Sequence, residues 1–144
     1  MEKLIFDLTK EYGSFKPLNA TNGGPWHKRF TKKMYSSNFE DYKAARIPYS
    51  RNHDVAVHAV YGGPYCHDIS CIFPNFDADP YDPASYDFGC TDEEILTTLE
   101  ACTKTFFRLG QTIENQITKP HTFPPKDFKK WAVICEHIIR HYNY

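Results

Sequence analysis

The sequence predicts an α/β fold on a parallel sheet, with the loop asymmetry of a (β/α)8 barrel. Three observations predict it. Short apolar runs alternate with helix-patterned segments along the chain. Long, turn-rich connections follow the strand candidates, whereas the returns from helix to strand, Lys43 to Arg46 and Cys102 to Thr105, are short. A polar cluster, Arg51, His53 and Asp54, stands just past a strand candidate, at the carboxyl end where α/β proteins bind ligands.

Taken in order, Lys3 to Leu8 is the first strand candidate and Phe15 to Asn19 the second. The latter runs into Asn19-Ala-Thr-Asn-Gly-Gly-Pro25, a loop by composition. Asn38 is placed to cap a short helix, Phe39 to Ala44. Arg46 to Ser50 is the next strand, and Pro48, which cannot donate to a ladder, implies that it ends or bulges there. Residues 51–90 form a long strand-to-helix segment punctuated by Gly62-Gly-Pro64, Phe73-Pro74, Asp79-Pro80 and Asp82-Pro83. A connection of that length in a compact domain is expected to be functional. Thr91-Asp-Glu-Glu94 has the pattern of a capping box, opening a helix to about Cys102 with Ile95, Leu99 and Cys102 on one face. Thr103 to Leu109 reads as a strand closed by Gly110, with Glu114 beyond its carboxyl end. After Pro124-Pro125, residues Lys126 to Tyr142 carry the clearest amphipathic stripe: Phe128, Trp131, Ile134, Cys135, Ile138, Ile139 and Tyr142. Trp131 is therefore assigned to the core.

The bulk properties narrow the function. The chain has 144 residues, enough for one domain, 1–144, with a real core. It is 41% hydrophobic with a net charge of −1 and a mean hydropathy of −0.59. No basic field exists to hold a phosphate backbone, which argues against nucleic acid as a partner. No apolar run approaches the roughly 20 residues of a membrane span, so no membrane partner is expected. The start lacks a long apolar leader, and a cytoplasmic address is the expectation. Five cysteines without a CxxC pattern read as reduced, buried small side chains rather than a disulfide framework. His53, His58, Cys66, His67 and Cys71 lie close in sequence, but their spacing matches no zinc signature. No metal site is expected. Aromatic residues make up 16% of the chain; they suit polar-ring ligands and build cores equally well. Trp26 and Tyr65, both on loops after strands, either stack on such a ring or pack down.

Laid out together, several pieces resemble one family. They are Ala45-Arg-Ile-Pro-Tyr-Ser-Arg-Asn-His-Asp54, Phe73-Pro-Asn-Phe-Asp-Ala-Asp79, Asp82-Pro-Ala-Ser-Tyr-Asp-Phe88, Phe107-Arg-Leu-Gly-Gln-Thr-Ile-Glu-Asn115, Pro124-Pro-Lys-Asp-Phe-Lys-Lys-Trp-Ala132 and Cys135-Glu-His-Ile-Ile-Arg-His-Tyr-Asn143. In this order and spacing they resemble the amino-terminal part of glycoside hydrolase family 39, the β-xylosidase and α-iduronidase-like TIM-barrel glycosidases. The resemblance implies an incomplete barrel, about the first three βα units, since a whole one takes about 250 residues. It implies retaining hydrolysis of xylosides or related plant glycans by two glutamates, with no cofactor. Both glutamates are expected beyond residue 144, so no catalytic residue is expected here and the chain is expected to be inactive alone.

The same resemblance gives His53 a role in contacting sugar hydroxyls, for which a neutral imidazole can both donate and accept. Asp54 belongs to the same substrate wall. Arg51 either pairs with Asp54 or another carboxylate to order the loop, the role its fork favours, or reaches the ligand. Glu114 either accepts from sugar hydroxyls or forms a salt bridge at the loop base. Retention demands two carboxyls about 5–5.5 Å apart; Asp54 and Glu114 are the local candidates, but the resemblance puts neither on a catalytic strand. A non-catalytic carbohydrate-binding role is the alternative. Three βα units also leave sheet edges unpaired, so self-association through those edges and marginal stability are further expectations.

Overall fold

The computed structural model of the chain describes residues 3, 7–16, 18–25, 38–52, 67–111 and 123–143. The elements run β1 (Thr21–Asn22), α1 (Phe39–Ala44), β2 (Tyr49–Asn52), α2 (Ile69–Ile72), a 3-10 turn (Pro83–Ser85), α3 (Gly89–Glu100), β3 (Lys104–Phe107) and α4 (Phe128–Tyr142). The strands form one sheet in the order β1-β2-β3, and both pairings are parallel. The expected mixed α/β architecture with a parallel sheet is present.

The strands are shorter than expected, and β1 is displaced. Phe15 and Leu18 are almost fully exposed and form no strand; β1 lies instead inside the stretch assigned to a loop. Half of the expected strand at Lys3 to Leu8 falls outside the described residues, and its described members, Lys3, Asp7 and Leu8, are not in a strand. β2 begins after Pro48, whose carbonyl accepts from Lys104 N at 3.0 Å. The proline thus sits where its missing N–H costs nothing. Register aligns Tyr49 with Lys104, Ser50 with Thr105, Arg51 with Phe106 and Asn52 with Phe107.

α1 has the expected bounds, but Asn38 makes no capping hydrogen bond. Its buried residues Phe39 and Tyr42 pack with Ala101 as a small core. Two returns from helix to strand use one device. After α1, Arg46 has φ 50°, and after α3, Cys102 has φ 61°. In the second case Cys102 N donates to Leu99 O at 2.8 Å and Thr103 N to Thr98 O at 3.2 Å, the bonding pattern of a Schellman turn.

α3 departs most from expectation. Thr91 and Glu94 do not form a capping box, because the helix has already begun at Gly89. Asp87 Oδ1 accepts from Gly89 N at 3.1 Å instead. The buried face is mostly polar: Thr91, Glu94, Thr97 and Thr98 join Ile95, which is buried as expected, while Leu99 and Cys102 are exposed. The buried hydroxyls return to their own helix: Thr97 Oγ1 donates to Glu93 O at 2.9 Å and Thr98 Oγ1 to Glu94 O at 3.1 Å. Helical backbone can thus satisfy polar side chains facing inward.

The main core joins α2 and α4 through Ile69, Ile72, Phe73, Ile134, Cys135 and Ile138. Part of it comes from residues 69–73, inside the segment expected to be an irregular loop. α4 starts two residues later than expected, at Phe128, because Asp127 caps it, accepting from Lys129 N at 2.9 Å and Lys130 N at 3.0 Å. Phe128 and Ile139, expected in the apolar stripe, are exposed, and Trp131 is half-buried against the core. Cys71, Cys102 and Cys135 are free thiols, whereas Cys90 is disulfide-bonded, which corrects the expectation of uniformly reduced cysteines. Among the described residues, no helix is long and apolar enough to cross a membrane.

Candidate functional site

The carboxyl ends of β2 and β3 lie side by side, because the two strands pair in parallel along their full length. β2 delivers Arg51 and Asn52 to that edge. Arg51 is exposed and makes no ion pair with a described residue. Its expected partner Asp54 lies outside the described residues, as do His53, Trp26, Tyr65 and Glu114.

Past the end of β3 the chain builds a buried polar cluster. Arg108 Nη2 donates to Asp68 Oδ1 at 2.7 Å, with both side chains largely withdrawn from solvent. One residue earlier, His67 is fully buried. Its ring packs T-shaped with that of Phe107, the centroids 5.5 Å apart, and neither ring nitrogen has a hydrogen-bond partner among the described residues. Burial, reinforced by the Arg108 charge, pushes its pKa down to about 4; the imidazole is neutral at physiological pH. Ile69 N donates to Gly110 O at 3.0 Å, so backbone as well as side chain binds residues 67–69 to the segment following β3.

Around this cluster lies an aromatic surround. Tyr142 stacks on Phe107 at 5.4 Å and donates to Asp92 Oδ1 at 3.0 Å. Burial raises the Tyr142 phenol well above the usual range. His141 Nε2 lies 2.8 Å from the same Asp92 oxygen and stacks on Phe88 at 3.7 Å. A cavity of about 480 Å³ adjoins, lined by Ile69, Phe73, Phe76, Gly110, Gln111 and Trp131 among others. Trp131, assigned to the core from sequence, therefore also presents a ring to this hollow beyond the β3 end.

A second buried ionisable group sits near the carboxyl end of β1. Glu94 is 3% exposed, and burial, with a smaller contribution from Glu93, pushes its pKa up to about 8. Gly24 passes directly over it. A Cβ there would come 2.6 Å from Thr98 Oγ1 and 2.9 Å from Glu94 Oε1, so only glycine admits this approach.

The described cluster fixes loops; it does not supply a catalytic pair, since Asp68 is engaged by Arg108. Among the described residues, no three His, Cys, Asp or Glu side chains are grouped to hold a metal. No motif points to the pairing of His67, Asp68 and Arg108, and the sequence pattern makes Glu94 part of a capping box rather than a buried acid. Asp68 and Arg108 are 40 positions apart, and they meet because residues 67–69 dock on the segment after β3, Ile69 N donating to Gly110 O.

No protein-family model matches the chain, and no curated protein matches it. Among solved structures, a glucosidase from Croceicoccus marinus shares its fold, with a TM-score of 0.69 and 24% identity. The match covers 92% of this chain and 26% of that one. The chain thus spans about a quarter of the length of its structural neighbour.

Proposed function

We propose that the chain is one portion of a retaining O-glycosyl hydrolase with a TIM-barrel fold, similar to family 39 and acting on xylosides or related plant glycans. The observation that carries this reading is the three-stranded parallel βα arrangement, which has the fold of part of a glucosidase over most of its length. In this reading the cluster of Arg108, Asp68 and His67 is scaffold. It ties residues 67–69 to the segment after β3, and the proposed substrate wall is Arg51, His53 and Asp54. Glu114, Trp26 and Tyr65 complete the proposed sugar contacts. The reaction needs two carboxyls about 5–5.5 Å apart, and this reading assigns both to other parts of the barrel.

The test is to assay the purified chain with aryl β-xyloside and aryl β-glucoside, and to titrate it calorimetrically with xylo-oligosaccharides. The expected outcome is no turnover, with weak binding at millimolar sugar that is lost in His53→Ala. Turnover abolished by Glu114→Gln or Asp54→Asn would overturn the placement of catalysis outside this chain. Absence of heat at millimolar sugar would overturn the substrate wall.

A further inference from the structure

The hollow beyond β3 shares no described residue with the proposed substrate wall. Its volume, about 480 Å³, lies within the range of small-molecule sites, roughly 300–1,000 Å³. The connection after β2 lines it with Phe73 and Phe76, the stretch leading into α4 with Phe123, Pro124 and Pro125, and α4 itself with Trp131. These segments already pack on one another, since Phe73, Phe76 and Trp131 belong to the core that joins α2 and α4. The hollow therefore needs no further barrel strand to define it. Phe123 retains 73% of its accessible surface and Trp131 is half-buried, so both rings keep area for a ligand to cover.

The lining selects a chemistry. Aromatic rings and prolines make it flat and apolar, interrupted by the side chains of Ser70, Gln111 and Lys126. A pyranose carries hydroxyls around its whole rim, and each one left without a partner here would cost about 1–3 kcal/mol. A planar aromatic ring leaves none, and it gains from stacked or edge-on contact with the lining rings. The charge is one-sided. Among the described residues, no acidic side chain lines the hollow. Lys126 lines it and is exposed, and Lys130 Nζ stands 5.6 Å from the centroid of the Phe76 ring. Neither lysine has an ion pair with a described residue. Asp127, the acid next to Lys126, is engaged at the start of α4, where it accepts from Lys129 N and Lys130 N.

We propose that this hollow binds an aryl carboxylate. The aromatic ring lies against Trp131 and Phe123, and the carboxylate is met by Lys126, with the Gln111 amide and the Ser70 hydroxyl as further donors. The cation is what admits the charge: a carboxylate pressed against apolar walls without one would keep its desolvation cost uncompensated. A free aryl acid and a glycoside whose aglycone carries the carboxylate present the same group. The inference stands apart from the glycosidase reading, since it uses no residue of the substrate wall and no turnover.

The experiment titrates the full chain with cinnamate and with cinnamyl alcohol, which keeps the ring and removes the charge, and follows the tryptophan indole N–H signals by NMR. Cinnamate should bind and move the Trp131 signal, identified as the one missing from Trp131→Phe. The alcohol should bind at least about tenfold more weakly, the loss of one charge-assisted contact. Lys126→Glu should weaken cinnamate binding by a similar factor and leave the alcohol unchanged, and Phe123→Ala should weaken both. Both positions are exposed, so these variants keep the fold. Xylobiose should not displace cinnamate. A p-carboxyphenyl β-xyloside that binds more tightly than cinnamate would identify a glycoside aglycone as the source, and one that binds no more tightly the free acid; the site stands in either case. An unmoved Trp131 signal, equal affinity for acid and alcohol, cinnamate binding indifferent to Lys126→Glu, or displacement by xylobiose would overturn the proposal. Failure of xylo-oligosaccharide binding alone would sink the substrate wall and leave this site standing.

Discussion

Glu94 holds its proton at neutral pH because it has exchanged water for threonine hydroxyls and a glycine backbone. The sign of the consequence follows from its two pKa values. Unfolded, the carboxyl ionises near its model value of 4.5; folded, near about 8. The stabilisation is therefore complete below 4.5 and is lost as pH rises through about 8. His67 acts in the opposite sense, with a folded pKa of about 4 against 6.5. Its contribution is present above 6.5 and is lost as pH falls through about 4. Melting temperature measured across this range should decline toward both ends, and Glu94→Gln should flatten the alkaline limb while leaving the acid limb intact. An unchanged alkaline limb in that variant would show that another group titrates there.

At the scale of elements, the left-handed residue after α3 is open to a direct test. Cys102 is exposed and holds a conformation that costs a residue with a Cβ about 1–2 kcal/mol. Cys102→Gly relieves that cost, less about 0.5–1 kcal/mol for the extra freedom of unfolded glycine. A small net stabilisation, up to about 1.5 kcal/mol, should appear in chemical denaturation. In α4, Ile138 is fully buried between core neighbours, and Ile138→Ala should cost about 2–5 kcal/mol by the same measurement.

The contrast between α4 and α3 also explains what was legible in the sequence. α4 is read easily because its buried residues are aliphatic and recur at helical spacing. α3 is misread because its inward face is threonine and glutamate, and a rule that equates burial with apolarity turns Thr91 and Glu94 into a cap. β1 has two residues, too few for any alternation to show, and is held by its pairing to β2 rather than by propensity. Pro48 marks a boundary, but it is the start of β2 rather than the end or bulge expected there, and the turn-rich stretch Asn19 to Pro25 conceals β1. The cluster of His67, Asp68 and Arg108 has no local pattern, because it exists only once residues 67–69 dock on the segment after β3. Of the substrate-wall residues read from the sequence, only Arg51 lies among those described, and it stands inside β2 rather than just past its end.

For the whole molecule, the described structure is held by two modest cores and by the Cys90 disulfide. In a fold with so few large buried side chains, a covalent cross-link carries weight; losing a native disulfide typically costs about 2–5 kcal/mol. Adding dithiothreitol should therefore lower the melting temperature clearly, and Cys90→Ser should melt at that lower temperature with no further response. Equal melting with and without reductant would show that the bond contributes nothing. A reducing cytosol would keep the bond open, so the same comparison measures how far the fold depends on an oxidising compartment.

The register between β2 and β3 has a consequence for how the chain reaches this structure. Slipping β2 or β3 by one residue would exchange its faces. Lys104 or Arg51 would then be driven into the layer now occupied by Ser50 and Thr105, where no strand residue offers a counter-charge. Such a slip would be rejected by desolvation before any core side chain could lock it in place. The two cations thus act as a check on folding fidelity, and replacing both with neutral residues should let misregistered sheets accumulate among refolding products.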